Sequence, residues 1–275
     1  MPELPEVEVT RRALSPALEG KTLTKARFYC GKLRHPVPDM SVLQGAVLVS
    51  LTRRAKYLIW KFRRGDGAVR YLLTHLGMSG AWRLWPLKAL PAAGVHDRAD
   101  FVFEDTVARL TDTRKFSDVV LTDADPETVP PLSELGVEPL SDDFTAEELY
   151  AGLLKTRRAV KPVLLDGRIV VGCGNIYANE SCFEAGISPM RPADRVTREE
   201  AEKLWAAVKD VLTRAVAAGG TTLRDFHGAD GKTGWFSLQC AVYGRGGQTC
   251  PRCGQVIGRV MQNGRSTFFC PGCQK

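Results

Sequence analysis

The sequence predicts an α+β fold of two domains: an N-terminal antiparallel β-sandwich with flanking helices, followed by a helical domain carrying a four-cysteine zinc ribbon. Three observations predict it. Short β-branched and aromatic runs separated by turn residues fill positions 21–122, helical patterns dominate 145–220, and two Cys-x-x-Cys pairs close the chain. Many short strands of this kind close into a sandwich or barrel, and separated blocks of strands and helices mark α+β architecture. With 44% hydrophobic residues over 275 positions, the chain can bury real cores.

The elements follow in order. LPEVEVTRRALSPALEG reads as a helix with Pro5 in its first turn, acids early and arginines later, bounded by Pro16 and Gly20. The strand runs are TLTKARFY, AVLVSLTRR, YLIWKF, VRYLLTHL, DFVFED and VARLTD. The proline-rich, acidic DADPETVPPLSELGVEPLSDDF reads as a linker. Four helical patterns come next, and in the last of them Thr197 and Glu200 make a capping box while closing glycines stop the helix. These readings divide the chain into residues 1–125, a linker at 126–144, a helical domain at 145–246 and the ribbon at 247–275.

Composition narrows the partners. Lys and Arg exceed Asp and Glu by 38 to 31, a net charge of +7, which tilts the chain toward polyanions without requiring them. The first ten residues hold three glutamates and no apolar run, unlike a secretory signal, and no stretch approaches the ~20 apolar residues that span a bilayer. Of eight cysteines, Cys30, Cys173, Cys182 and Cys240 stand singly. That usage fits a reduced, cytoplasmic chain better than an oxidised secreted scaffold, so no membrane partner is expected.

Cys250-Pro-Arg-Cys253 and Cys270-Pro-Gly-Cys273 are separated by sixteen residues. Such spacing lets four thiolates converge on one zinc ion, and four cysteines leave no open position, so the metal is expected to be structural. Two disulfides are the alternative. The intervening GQVIGRVMQNGRSTFF reads as two strands joined at Asn263-Gly264, a preferred hairpin turn that puts Arg265 at or beside the tip. An arginine on a stiff tip suits phosphate or base edges, although a solvated turn residue is the commoner fate.

In VVGCGNIYANE, Asn175 precedes an apolar-periodic helix and is expected to be its N-cap. The alternative is that Gly172, Gly174 and Asn175 offer amides to phosphates, with Lys155, Arg157, Arg158 and Lys161 just upstream. At the other end of the chain, MPELPE raises a chemical question. With Met1 removed, Pro2 would expose a secondary amine of pKa near ~8 facing the positive end of the first helix. Such an amine can attack a sugar carbon and collapse to an iminium, with Glu3 beside it to move protons.

These segments together resemble the formamidopyrimidine-DNA glycosylase family along nearly the whole chain. The likeness is carried in order by MPELPEVE, RRAKYL, HLGMSG, TDTRKF, KPVLLDGRIVVGCGNIYANE, GGTTLRDF, DGKTGWF, VYGR and GRSTFFCPGCQ. It implies a helix–two-turn–helix in the second domain and a monomer acting on double-stranded DNA that carries an oxidised purine. It further implies base excision through a Pro2 Schiff base, then β,δ-elimination, with one structural zinc and no redox or organic cofactor. Pro2 would be the nucleophile, Glu3 the proton carrier, and Lys56 and Arg265 the phosphate and elimination residues. Asn175, His96 and Arg157 would contact the DNA backbone. Met78 and Phe116 stand where the family fills the space left by the flipped nucleotide, and Arg114 would bind DNA beside them. Thr113, Ser117, Cys173 and Ser266 depart from the expected pattern, Ser117 and Ser266 standing where glycine is common.

Two other readings remain. A sister branch resembling endonuclease VIII prefers oxidised pyrimidines, and MPELPE and TTLRDF argue for the purine branch. A non-catalytic DNA binder would leave Pro2, Glu3 and Lys56 without a task.

Overall fold

The computed structural model describes residues 1–220 and 240–275. The chain divides into two units, one built from Met1–Ser133 with residues 218–220, the other from Glu134–Ala217 with residues 240–275. The cut falls inside the stretch read as a linker, which forms two short 3-10 turns, Pro126–Thr128 and Leu132–Glu134.

The first unit opens with helix α1, Leu4–Leu18. Glu3 is its N-cap, and the Glu6 carboxylate accepts the Glu3 amide at 2.8 Å. Pro16 does not bound the helix as expected but lies inside it. In the last turn a proline deletes only one N–H, so the helix runs two residues further and stops where Glu19 turns extended and Gly20 takes φ +82°.

Eight strands follow: β1 Lys25–Phe28, β2 Val47–Arg54, β3 Tyr57–Arg63, β4 Val69–His75, β5 Ala81–Pro86, β6 Asp97–Val102, β7 Thr106–Thr111 and β8 Asp118–Thr122. They form two antiparallel sheets, ordered β2-β3-β4-β8 and β1-β6-β7-β5. AWRLWP and DVVLT became β5 and β8 although neither stood out in the sequence, because each is completed by a register partner, β7 and β4. The inner faces meet over Trp60, Trp82 and Phe101, whose ring centroids lie 5.0–5.7 Å apart. Val7, Leu14 and Leu18 of α1 join the same core.

Glu8 ties α1 to this sandwich. Its carboxylate accepts from Arg11 and Arg12 on the helix and from Arg53 Nε of β2 at 3.2 Å. Burial opposes its charge, but the hydrogen bonds of Arg11 and Arg12 and the charge of Arg53 outweigh burial and bring its pKa down to about 2. A carboxyl depressed on folding stabilises the native state above its unfolded value and ceases to do so as pH falls toward the folded one. Urea midpoints should therefore drop between pH 4.5 and about 2, by up to roughly 3 kcal/mol of stability. Glu8→Gln should flatten that slope; an unchanged slope would refute the assignment.

The second unit holds helices α2 Ala146–Leu154, α3 Val160–Asp166, α4 Asn175–Glu184 and α5 Arg198–Ala217. Thr145 and Glu148 cap α2 reciprocally, and Thr197 and Glu200 do so for α5. Strands β9, Gly258–Gln262, and β10, Arg265–Phe269, form the hairpin, turning through Asn263 (φ +48°) and Gly264 (φ +72°). Val242, Ile257 and Phe268 of this region share a core with Phe183 of α4. Among the described residues no helix is long and apolar enough to cross a membrane.

Candidate active site

In the first unit, Pro2 and Glu3 are buried at the start of α1. Lys56 is not in a strand as its sequence context suggested. It occupies the two-residue turn between β2 and β3, which only Ala55 at φ +53° makes possible, and it is half-buried there. Arg53 links the two places: it pairs with Glu8 of α1 and donates through Nη1 to the Ala55 carbonyl at 3.0 Å.

His75, which the sequence did not single out, stands opposite Tyr57 in the β3–β4 register, with ring centroids 4.7 Å apart. Burial, together with the charges of Lys56 and Arg34, lowers its pKa to about 4. The imidazole is therefore neutral near pH 7, and Nδ1 accepts the Gly77 amide at 3.0 Å. A histidine flanked by a sheet and followed by Leu-Gly-Met reads as core from sequence alone; its neighbours come from elsewhere in the chain.

Met78 and Phe116 lie on separate loops and are both exposed, at 41% and 44%. The Arg114 guanidinium sits over the Phe116 ring, 4.9 Å from its centroid. His96 is exposed in the turn leading into β6. The two loops touch closely: a Cβ on Gly77 would come 2.2 Å from the Phe116 carbonyl oxygen. All three points meet at Asp112, a second residue the sequence did not reveal. Its carboxylate accepts from Ser79, Ser117 and two backbone amides, and its own amide donates to the His96 carbonyl.

In the second unit, Asn175 is the first residue of α4 and not its N-cap; Gly174 fills that position. The Asn175 side chain reaches the ribbon instead, Nδ2 donating to the Ser266 carbonyl at 3.0 Å. Lys161, read as part of the basic cluster upstream of Asn175, is fully buried; its Nζ donates to Thr267 Oγ1 at 2.6 Å and to the same Ser266 carbonyl. Those contacts brace β10 beside Arg265, which is exposed at the hairpin turn. Arg265, Arg158 and Asn263 line an open cleft of about 200 Å³. Arg157 is 95% exposed, with Asp194 3.6 Å away.

Glu180 is the third residue missed. Buried in α4, it accepts the amides of Ala241, Val242 and Tyr243 at 2.7–3.0 Å. Burial pushes its carboxyl above the ordinary range although those amides favour the charged form. Asn179 Oδ1, one residue earlier, accepts the Phe268 amide at 2.7 Å. One helix thus clamps both the ribbon and the VYGR turn.

The sulfurs of Cys250, Cys253, Cys270 and Cys273 lie within 4.8 Å of one another, with Cys250–Cys273 at 3.9 Å and Cys253–Cys270 at 3.3 Å. Tetrahedral zinc with Zn–S near ~2.3 Å places sulfurs about 3.8 Å apart. The Arg252 amide points at Cys250 Sγ, 3.4 Å away, as a thiolate would favour. Donor set and spacing fit one structural zinc with no position left for substrate. The expected TTLRDF loop and DGKTGW lie outside the described residues.

Comparison with known proteins agrees with this arrangement. The formamidopyrimidine-DNA glycosylase N-terminal domain matches residues 1–119, the H2TH domain of the same enzymes matches 135–227, and a zinc finger found in FPG and IleRS matches 247–275. Formamidopyrimidine-DNA glycosylases of Laribacter hongkongensis and Neisseria meningitidis are 48% and 47% identical, each over 100% of both chains. The crystal structure of MutM (Fpg) from Thermus thermophilus is 38% identical with a TM-score of 0.87, covering 99% of this chain and 98% of that one. Lactococcus lactis Fpg in complex with abasic-site DNA is 31% identical with a TM-score of 0.89, covering 99% of each chain. Matched from end to end in sequence and in fold, with the four thiolates in place, the chain belongs to the formamidopyrimidine-DNA glycosylase family, DNA glycosylases with AP lyase activity that serve base excision repair.

Proposed function

We propose that the protein excises oxidised purines, 8-oxoguanine and formamidopyrimidines, from duplex DNA and then nicks the abasic strand by β- and δ-elimination. The observation that carries this reading is the position of Pro2, buried immediately ahead of α1 and next to Glu3, in a chain matched to the family along its length. Once Met1 is removed, the Pro2 nitrogen attacks C1′ and the bond from C1′ to the base breaks, the base leaving with a proton. Ring opening, with Glu3 moving the proton to O4′, yields the iminium. Loss of a C2′ proton then expels the 3′ phosphate, a second elimination expels the 5′ phosphate, and water releases the sugar remnant from Pro2.

Lys56 and Arg265 hold phosphates and support these eliminations, while His96, Arg157 and Asn175 serve the DNA backbone. Met78 and Phe116, with Arg114 over the ring, fill the hole left by the flipped nucleotide and offset part of its unstacking cost of a few kcal/mol. Residues 1–125 carry the chemistry, residues 145–246 and the ribbon hold the duplex, and the protein works as a cytoplasmic monomer.

Borohydride reduction during turnover tests the reading, because it converts the iminium to a stable amine. Incubation with an 8-oxoguanine duplex is expected to give a covalent adduct mapping by mass spectrometry to a peptide beginning at Pro2. No adduct, or one at a lysine, would overturn the nucleophile. Parallel thymine glycol duplexes separate the purine from the pyrimidine branch by rate.

A further inference from the structure

Asp112 directly follows β7 with its side chain fully buried, yet no cation pairs with it among the described residues. A lone buried charge is costly, and it persists only where neutral donors saturate it. Here they do. Oδ1 accepts Ser79 Oγ at 2.5 Å and the Arg114 amide at 3.0 Å; Oδ2 accepts Ser117 Oγ at 2.6 Å and the Ser117 amide at 2.8 Å. Ser79 follows Met78, and Arg114 and Ser117 flank Phe116, so one carboxylate grips both loops.

The surroundings leave these loops little room. Gly77 lies against the backbone of Phe116, and a Cβ on Gly80 would come 2.4 Å from the Leu76 carbonyl oxygen and 2.5 Å from Ser117 Oγ. The Arg114 amide also lies 3.2 Å from Ser79 Oγ, a direct bond between the loops. On the main chain, Arg98 Nε donates to the Asp112 carbonyl at 2.7 Å, and the Asp112 amide reaches His96. The Ser117 hydroxyl, which a glycine would lack, adds a fourth donor to the carboxylate.

We infer that Asp112 is a positioning residue for base extrusion: it binds the Met78 and Phe116 loops at a single carboxylate, so that the two side chains enter the duplex as one rigid wedge. The inference rests on the wedge role proposed above for those side chains. A wedge ordered before it meets DNA spends none of its binding on ordering two loops separately. Asp112→Asn keeps the shape but replaces one acceptor with a donor. Facing the Ser117 amide, that donor forces the loops apart.

The test is a mutant cycle on 8-oxoguanine duplexes, reading single-turnover excision and the fluorescence of 2-aminopurine placed next to the lesion. Asp112→Asn is expected to slow both extrusion and excision by roughly tenfold, and to have little further effect when Met78→Ala and Phe116→Ala are already present. A purely structural role would slow the enzyme equally in both backgrounds, and that result would overturn the inference. So would unchanged extrusion in Asp112→Asn while Met78→Ala slows it. If Met78→Ala and Phe116→Ala themselves leave extrusion intact, the wedge reading falls first and takes the inference with it. Should Asp112→Asn fail to fold, Ser117→Gly and Ser79→Ala each remove one donor and are expected to slow extrusion severalfold, again only with the wedge residues present.

Discussion

Replacing Pro2 with glycine is expected to slow base excision by at least about a thousandfold while binding to a lesion duplex stays within severalfold of the parent. The contrast follows from what each atom does. A secondary amine yields an iminium that is cationic without needing a further proton, so the electron sink for the two proposed eliminations is always charged. Glycine offers a primary amine, whose imine must first be protonated, and it loses the ring that restricts the nitrogen ahead of α1. The residues proposed to hold phosphates lie elsewhere in the chain and are untouched by the change. A thousandfold loss corresponds to about 4 kcal/mol of the barrier, and stopped assays under saturating enzyme would measure it. Near-normal excision by the variant would remove Pro2 from the mechanism.

Removal of zinc should produce the opposite pattern, a loss of binding first. Arg265 stands on a hairpin of two five-residue strands whose ends converge on the four thiolates. A hairpin that size is marginal alone, and structural zinc sites contribute about 10 kcal/mol or more to holding such a motif. Chelation is expected to weaken affinity for lesion duplex by at least about a hundredfold, as the phosphate contacts proposed for the ribbon are lost. Fluorescence from buried Trp60 and Trp82 in the first unit should change little. Metal analysis should find one zinc per chain, and its return should restore binding. Tight binding by metal-free protein would deny the ribbon its role.

Much of the fold is legible before any coordinates. The capping box of Thr197 and Glu200, the Asn263-Gly264 turn and the two Cys-x-x-Cys pairs are local devices, each complete within a few residues, and each forms as read. Local reading failed where a residue's role depended on a distant partner. Asn175 has the chemistry of an N-cap, but a carbonyl 91 residues away takes its amide. Lys161 sits in a basic cluster, yet Thr267 and Ser266 draw it inside. Lys56 follows a strand-like run, and the left-handed Ala55 turns it out of the sheet.

From residue order alone came the architecture and the metal site, because periodicity, turn preference and ligand spacing act over short stretches of chain. Asp112, Glu180 and His75 could be recognised only in three dimensions. A buried charge or a neutral imidazole is defined by the donors, acceptors and cations around it, and here those arrive from loops and strands far apart in sequence. Solvation and hydrogen bonding, unlike hydrophobic period, are properties of the assembled neighbourhood.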